Sequence, residues 1–187
     1  MASQKKYGNS LWQGGKKLGL KKVEDKFTLR LSAGATPEDV ESKLGVVHSK
    51  RLAPYNLNEF QTSELDKTME NARKGNETVF ASHVYSIEND PNSRIYLSDQ
   101  LTVKFKPDTS ETEIEDIASS YGLEIVKEIE GSPKTYVFKL TPQAKENPIK
   151  ISNRLKESGK VELSEPNIIV ESQSHYVPAD TKFKHQW

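Results

Sequence analysis

The apolar period of Leu101–Val170 switches repeatedly between that of a strand and that of a helix, and this succession leaves few folds open. LTVKFK places Leu101, Val103 and Phe105 on one side, as a strand with one wet face does. Ser110 with Glu113 three residues on reads as a capping box, in which each side chain satisfies an orphan amide of the other. Ile114, Ile117, Ala118 and Tyr121 then recur at helical spacing, and Gly122 stands where a left-handed cap ends a helix. LEIVKEIE and KTYVFKL read as strands on either side of a turn at Gly131–Pro133. Asn147 and Pro148 open a second helix as cap and first residue, Gly159 ends it, and VELSEPNIIV is a last extended segment interrupted at Pro166.

The order is β-α-β-β-α-β, which predicts an α+β, ferredoxin-like unit with an antiparallel sheet and two helices on one face. Lys26–Ile87 reads as an earlier copy. KFTLRLS alternates, Thr36-Pro37 with Asp39 opens a helix bearing Val40 and Leu44, and Gly45 closes it. VVHSKRL and NEFQTS are middle strands around Pro54-Tyr55-Asn56. Ser63 with Asp66 caps a helix carrying Leu65, Met69 and Ala72, Gly75 stops it, and ETVFASHVYSI is the last strand. Asn89–Ser93 is turn chemistry, so Val84–Ile87 and Arg94–Leu97 are expected to pair as a hairpin joining two tandem units, 26–97 and 98–171. A lone fold of this kind hosts many functions and decides none.

Residues 1–25 are polar and basic, with Lys5, Lys6, Lys16, Lys17, Lys21 and Lys22. A flexible N-terminal arm is expected, although Leu11, Trp12, Leu18 and Leu20 could pin part of it to the body. Basic and acidic residues balance at 27 each, which argues against a protein built to neutralise phosphate. Cysteine is absent, so no disulfide framework or thiolate site is offered. No secretory leader or membrane-spanning run is read, so the compartment stays open between the cell interior, export by another route and a leader already lost from these residues, and no membrane partner is expected. His48, His83, His175 and His185 form no helical metal pair, and His83 reads as a surface or edge residue of a strand. No nucleophile elbow, phosphate loop or carboxylate dyad is visible, so no catalytic residue, metal or cofactor is assigned.

Two runs then carry a resemblance. KVELSEPNIIV is similar to the last strand, and VPADTKFKHQW to the segment beyond it, in precursors of subtilisin-like serine proteases. With the β-α-β-β-α-β order, the second half resembles the N-terminal propeptide of that family (subtilases, peptidase family S8), the inhibitor I9 type. Pro178, Asp180, Phe183, Gln186 and Trp187 match the opening of a mature catalytic domain. The resemblance implies a zymogen pro-region that acts as intramolecular chaperone and cleft-blocking inhibitor, with a subtilisin-like catalytic domain as partner, in cis or in trans. The chain itself would not be an enzyme; a precursor continuing past Trp187 would be a serine endopeptidase acting in proteolysis. Glu165 and Asn167 match positions that cap helices of the protease, Asn167 standing in place of an acid. Residues 172–187 would form the extended tail and the start of the mature enzyme. Glu171, Ser172, Gln173, Ser174, His175 and Tyr176 would lie substrate-like in the cleft as an added strand. Tyr176 suits the position before the processed bond, while counting from the acidic pair puts that bond nearer Gln173.

Two other functions share the topology. An RRM-like single-stranded nucleic-acid binder needs aromatic residues on the open sheet face, and Phe105, Tyr136 and Phe138 are the candidates. The Arg-Gly element of that motif is missing, and burial in the core is the plainer role for these rings. A pair of small-molecule-sensing domains is the third reading, which the sequence neither supports nor opposes.

Overall fold

The computed structural model describes residues 7–171. The strands are β1 (Ser10–Gln13), β2 (Lys16–Leu31), β3 (Val47–Leu52), β4 (Leu57–Gln61), β5 (Thr78–Ile87), β6 (Asp90–Phe105), β7 (Leu123–Glu128), β8 (Thr135–Leu140) and β9 (Val161–Glu171). The helices among the described residues are α1 (Pro37–Leu44), α2 (Leu65–Lys74), α3 (Glu111–Tyr121) and α4 (Pro148–Glu157), so the class is α+β with an antiparallel sheet.

Local chemistry sets most helix ends. Thr36 and Asp39 form a capping box at α1, Ser110 and Glu113 another at α3, and Asn147 accepts from the Lys150 amide at α4. Gly45 and Gly122 close α1 and α3 in the left-handed conformation. At α2 the expected cap is replaced. Glu64 occupies the cap position without a side-chain bond, while Thr62 accepts from the Glu64 amide at 3.2 Å and meets Thr68 at 3.0 Å.

Within the first half the strands lie in the order β3-β4-β2-β5, and within the second β7-β8-β6-β9, every neighbouring pair antiparallel. The two orders are the same when the first half is numbered from β2 and the second from β6, with β1 as an addition to the first. The halves do not carry separate sheets, however. β5 and β6 pair as a hairpin, Tyr85 with Ile95 and Ile87 with Asp90, but the chain reverses at Glu88 and Asn89 and Asp90–Ser93 belong to the strand instead of the expected turn over Asn89–Ser93. The hairpin joins the described strands into one nine-stranded sheet.

Helices cover one face of each half. Phe27, Leu29 and Phe60 pack with Val40 of α1 and with Met69 and Ala72 of α2. Leu101, Val103, Phe105, Tyr136 and Phe138 pack with Ile114 and Ile117 of α3 and with Ile151 and Leu155 of α4. A third cluster joins the halves: Leu11, Leu20, Leu57, Phe80 and Tyr85 meet Ile95, Leu97 and Ile149. Burial of that much apolar surface makes the interface a core rather than a hinge.

Of the arm expected over 1–25, residues 1–6 lie outside the described residues, and β1 and β2 correct the expectation for the rest. They pair across a turn in which Gly14 and Gly15 both have positive φ, a conformation glycine adopts without steric cost. Leu11 and Leu20 are anchored in the shared core, and Asn153 of α4 donates to the carbonyls of Tyr7 and Ser10. Pro166 does not break β9. It pairs with Leu101 where β6 bulges, Ser98–Gln100 standing against Asn167, so its missing amide falls at an irregularity of an edge strand.

Candidate functional site: the open sheet face and the end of β9

The helix-free face of the first half is already occupied. Lys26, Thr28 and Arg30 of β2 share that face with Glu59 of β4, and the β6–β9 pair closes over it. Arg30 pairs with Asp99, which is 3% exposed in the β6 bulge, and Lys26 bonds Glu59 at 2.7 Å. Among the described residues, what remains uncovered is the helix-free face of the second half.

That face is read from the register. Leu101, Val103 and Phe105 point at the helices, so Gln100, Thr102 and Lys104 point away, with Val137 and Lys139 of β8 and with Leu163 and Glu165 of β9 beside them. The surface is polar and charged around Val137, which is 8% exposed between Thr102 and Lys127.

Glu165 and Asn167 stand two residues apart on β9, on this open face and half-buried. They are not equivalent. The Asn167 side-chain oxygen accepts from the Thr102 hydroxyl at 3.0 Å, its amide faces the Gln100 side-chain oxygen at 3.5 Å, and its carbonyl accepts from Ser98 at 2.9 Å. Among the described residues no side-chain hydrogen bond or ion pair engages Glu165. One carboxylate on this face is thus uncommitted, and the neighbouring amide is held in place by the bulge.

Glu171 is the last residue of β9, opposite Arg94. Its carboxylate pairs with Lys50 of β3 and accepts from the Tyr96 hydroxyl at 3.2 Å. The hydrogen bond with Lys50 is the first cause holding the Glu171 carboxyl below the usual range. Ser172, Gln173, Ser174, His175 and Tyr176, and likewise Pro178, Asp180, Phe183, Gln186 and Trp187, lie outside the described residues. The engagement of Glu171 with the first half had no sequence signal, since Lys50 is 121 residues away.

Residues 83–167 match the family model of the fervidolysin N-terminal prodomain. This is a subtilase propeptide-like family. The match begins inside β5 and ends at Asn167, so it takes in the joining hairpin, the whole open face and both expected capping positions. No curated protein matches the chain. Among solved structures, the small subunit of acetolactate synthase from Thermotoga maritima is 15% identical over 81% of this chain and 96% of that one, with a TM-score of 0.26, too low to carry an argument.

The aromatic rings required for base stacking are on the wrong side. Phe105, Tyr136 and Phe138 form a mutually packed trio at centroid distances of 6.0–6.2 Å, buried beneath α3 and α4. The open face therefore lacks the platform that a nucleic-acid binder of this topology uses. His83, expected at a surface or edge, is buried beside Lys22, whose ammonium lies 2.9 Å from Nε2. Among the described residues no group of three or more His, Cys, Asp or Glu is placed to hold a metal.

Proposed function

We propose that this chain is the pro-region of a subtilisin-like serine protease, serving as folding template and cleft-blocking inhibitor of the catalytic domain. The match of residues 83–167 to the fervidolysin N-terminal prodomain carries this reading. On it, the two halves are tandem ferredoxin-like units, of which the second is the docking unit. The equal strand orders and the helices on one face of each half support that description.

The body docks through its open face. Glu165 offers a free carboxylate to backbone amides at a helix N-terminus of the catalytic domain, where the helix dipole favours negative charge. Asn167 offers the remaining lone pair of an oxygen already bonded to Thr102, a neutral and weaker contact. Of the expected cleft-binding tail Glu171–Tyr176, Glu171 is engaged by Lys50 and Tyr96 of the body, so Ser172–Tyr176 then lie in the cleft as a product-like strand, and Pro178, Asp180, Phe183, Gln186 and Trp187 open the mature domain of a precursor endopeptidase. A body that binds the native enzyme better than the unfolded one favours folding by linkage, and the same interface inhibits.

The test is inhibition in trans of a panel of purified subtilisin-like endopeptidases by the 187-residue chain. Slow, tight inhibition of at least one member is expected, weakened by Glu165→Lys with an unchanged melting temperature. A chain that inhibits none, and fails to speed refolding of any of their catalytic domains, removes the reading.

A further inference from the structure

The first half bears on the second through one continuous polar chain. Lys26 bonds the Glu59 carboxylate at 2.7 Å, the Tyr96 hydroxyl lies 2.9 Å from the other oxygen of Glu59 and 3.2 Å from Glu171, and Lys50 pairs with Glu171. The links run β2, β4, β6, β9, β3 and thus tie the last residue of β9 to three strands of the first half.

The centre of this chain is buried. Glu59 is 1% exposed and Tyr96 fully buried. A carboxylate so placed is costly without partners, and here it has a cation and a hydroxyl. Burial is the first cause pushing the Tyr96 hydroxyl well above its usual range, so it keeps its single proton and remains a donor. Both carboxylates are within hydrogen-bond distance of the Tyr96 oxygen, so they share its one proton, and the ammonium groups of Lys26 and Lys50, one on each carboxylate, balance their charge.

The backbone is shaped for the contact. β3 carries a bulge between His48 and Lys50, which sets Lys50 directly opposite Glu59. Without the extra residue Ser49 would take that place, and the two-residue alternation would turn Lys50 to the helix-covered face. The Lys50 ammonium also sits 5.2 Å from the Tyr96 ring centre, so one lysine braces both the ring and the carboxylate. An exposed Lys–Glu pair by itself contributes little. The hold comes from its continuity with the buried Tyr96–Glu59 contact.

We infer that the first half is a clasp on the exit of β9: Lys50 and Glu59 of the first half, acting with Tyr96 of β6, are positioning residues that hold Glu171 and so fix the end of β9. The inference rests on the pro-region reading for what the segment after Glu171 does, and on the geometry alone for the clasp. By holding the root of the inhibitory segment still, the first half shortens that segment's search for its cleft.

The experiment compares the full chain with Lys50→Ala, Tyr96→Phe, Glu171→Gln and the swap Lys50→Glu/Glu171→Lys, reading amide exchange at Ile168–Glu171 and inhibition of a purified subtilisin-like endopeptidase. Each single substitution is expected to speed exchange there by about three- to tenfold, with exchange in α3 and β8 unchanged, and to weaken inhibition by a similar factor; the swap recovers part of both, the share of the ion pair, and not the share of the Lys50–Tyr96 ring contact or the Tyr96–Glu171 hydrogen bond. Unaltered exchange in the single variants, or no recovery in the swap, overturns the clasp. Faster exchange with undiminished inhibition overturns its role in positioning the segment. If the unsubstituted chain inhibits nothing, the pro-region reading falls, and the exchange data still decide the clasp.

Discussion

The ammonium of Lys22 lies 2.9 Å from Nε2 of His83, so the imidazole accepts there and must be neutral. Burial is the first cause, with Lys22 and Arg73 adding, that pushes the His83 imidazole down from 6.5 to about 4. Asp66, 4.0 Å away, opposes the shift. A folded pKa below the unfolded one means that the unfolded chain takes up the proton first as pH falls. Stability is therefore expected to be level above about pH 6.5 and to decline towards pH 4, by an amount of order 3 kcal/mol if His83 acted alone. Denaturant melts across this range check it. His83→Gln should flatten the decline, and an equal slope in that variant would refute the assignment.

Glu171 adds a second, lower pH dependence. Its carboxyl is held below the usual range first by the hydrogen bond with Lys50, with Tyr96 and Arg94 contributing. Its contribution is present above the ordinary carboxylate pKa and is lost as pH falls through the lowered folded value. Protection of the Ile169–Glu171 amides, taken relative to the intrinsic exchange rate at each pH, is expected to fall at acid pH in the parent chain and to be lowered already at neutral pH in Lys50→Ala.

Arg30 and Asp99 join the two halves inside the bulge of β6, and Asp99 is almost wholly buried. Removing the guanidinium leaves a buried carboxylate without a cation. Arg30→Ala is expected to cost about 3–5 kcal/mol, read by urea denaturation. Because the halves share a core and a sheet, parent and variant should each unfold in one transition. Two resolved transitions in the parent would contradict the joined architecture.

Gly122 closes α3 at φ 68°, and a Cβ there would come within 2.6 Å of the Ala144 amide nitrogen. Gly131 has φ 75° but open space around it. Alanine at 131 is expected to cost about 1–2 kcal/mol, the left-handed penalty alone. Alanine at 122 should cost clearly more, since backbone must shift as well. Thermal melts of the two variants make the comparison, and equal losses would show that the loop at Ala144 yields freely.

Ser110 is the local case. Its hydroxyl accepts from the Glu113 amide at 3.2 Å, and the Glu113 carboxylate reaches back to the Ser110 amide at 3.3 Å. Ser110→Ala is expected to lower stability by about 1 kcal/mol and to leave inhibition of a protease unchanged, since α3 lies on the face opposite Glu165.

Signals confined to a few neighbouring residues were legible in the sequence. Thr36–Asp39, Ser110–Glu113, Asn147–Pro148, Gly45 and Gly122 determine where helices begin and end, because a cap is made within one turn of its own helix. Two-residue alternation likewise placed Leu101, Val103 and Phe105 together on the core side of their strand, whereas the common face of Glu165 and Asn167 came from the register with β6. The tertiary structure alone decided that both sheets are one, that the first half's open face is used up, that His83 is buried and that Glu171 is tied to Lys50 and Tyr96. Each of these depends on register between strands far apart in the chain, and on bulges at Ser49 and Ser98–Gln100 that shift which side chain meets which. Pattern along the sequence assigns a residue to a face; only the packed sheet assigns that face its partner.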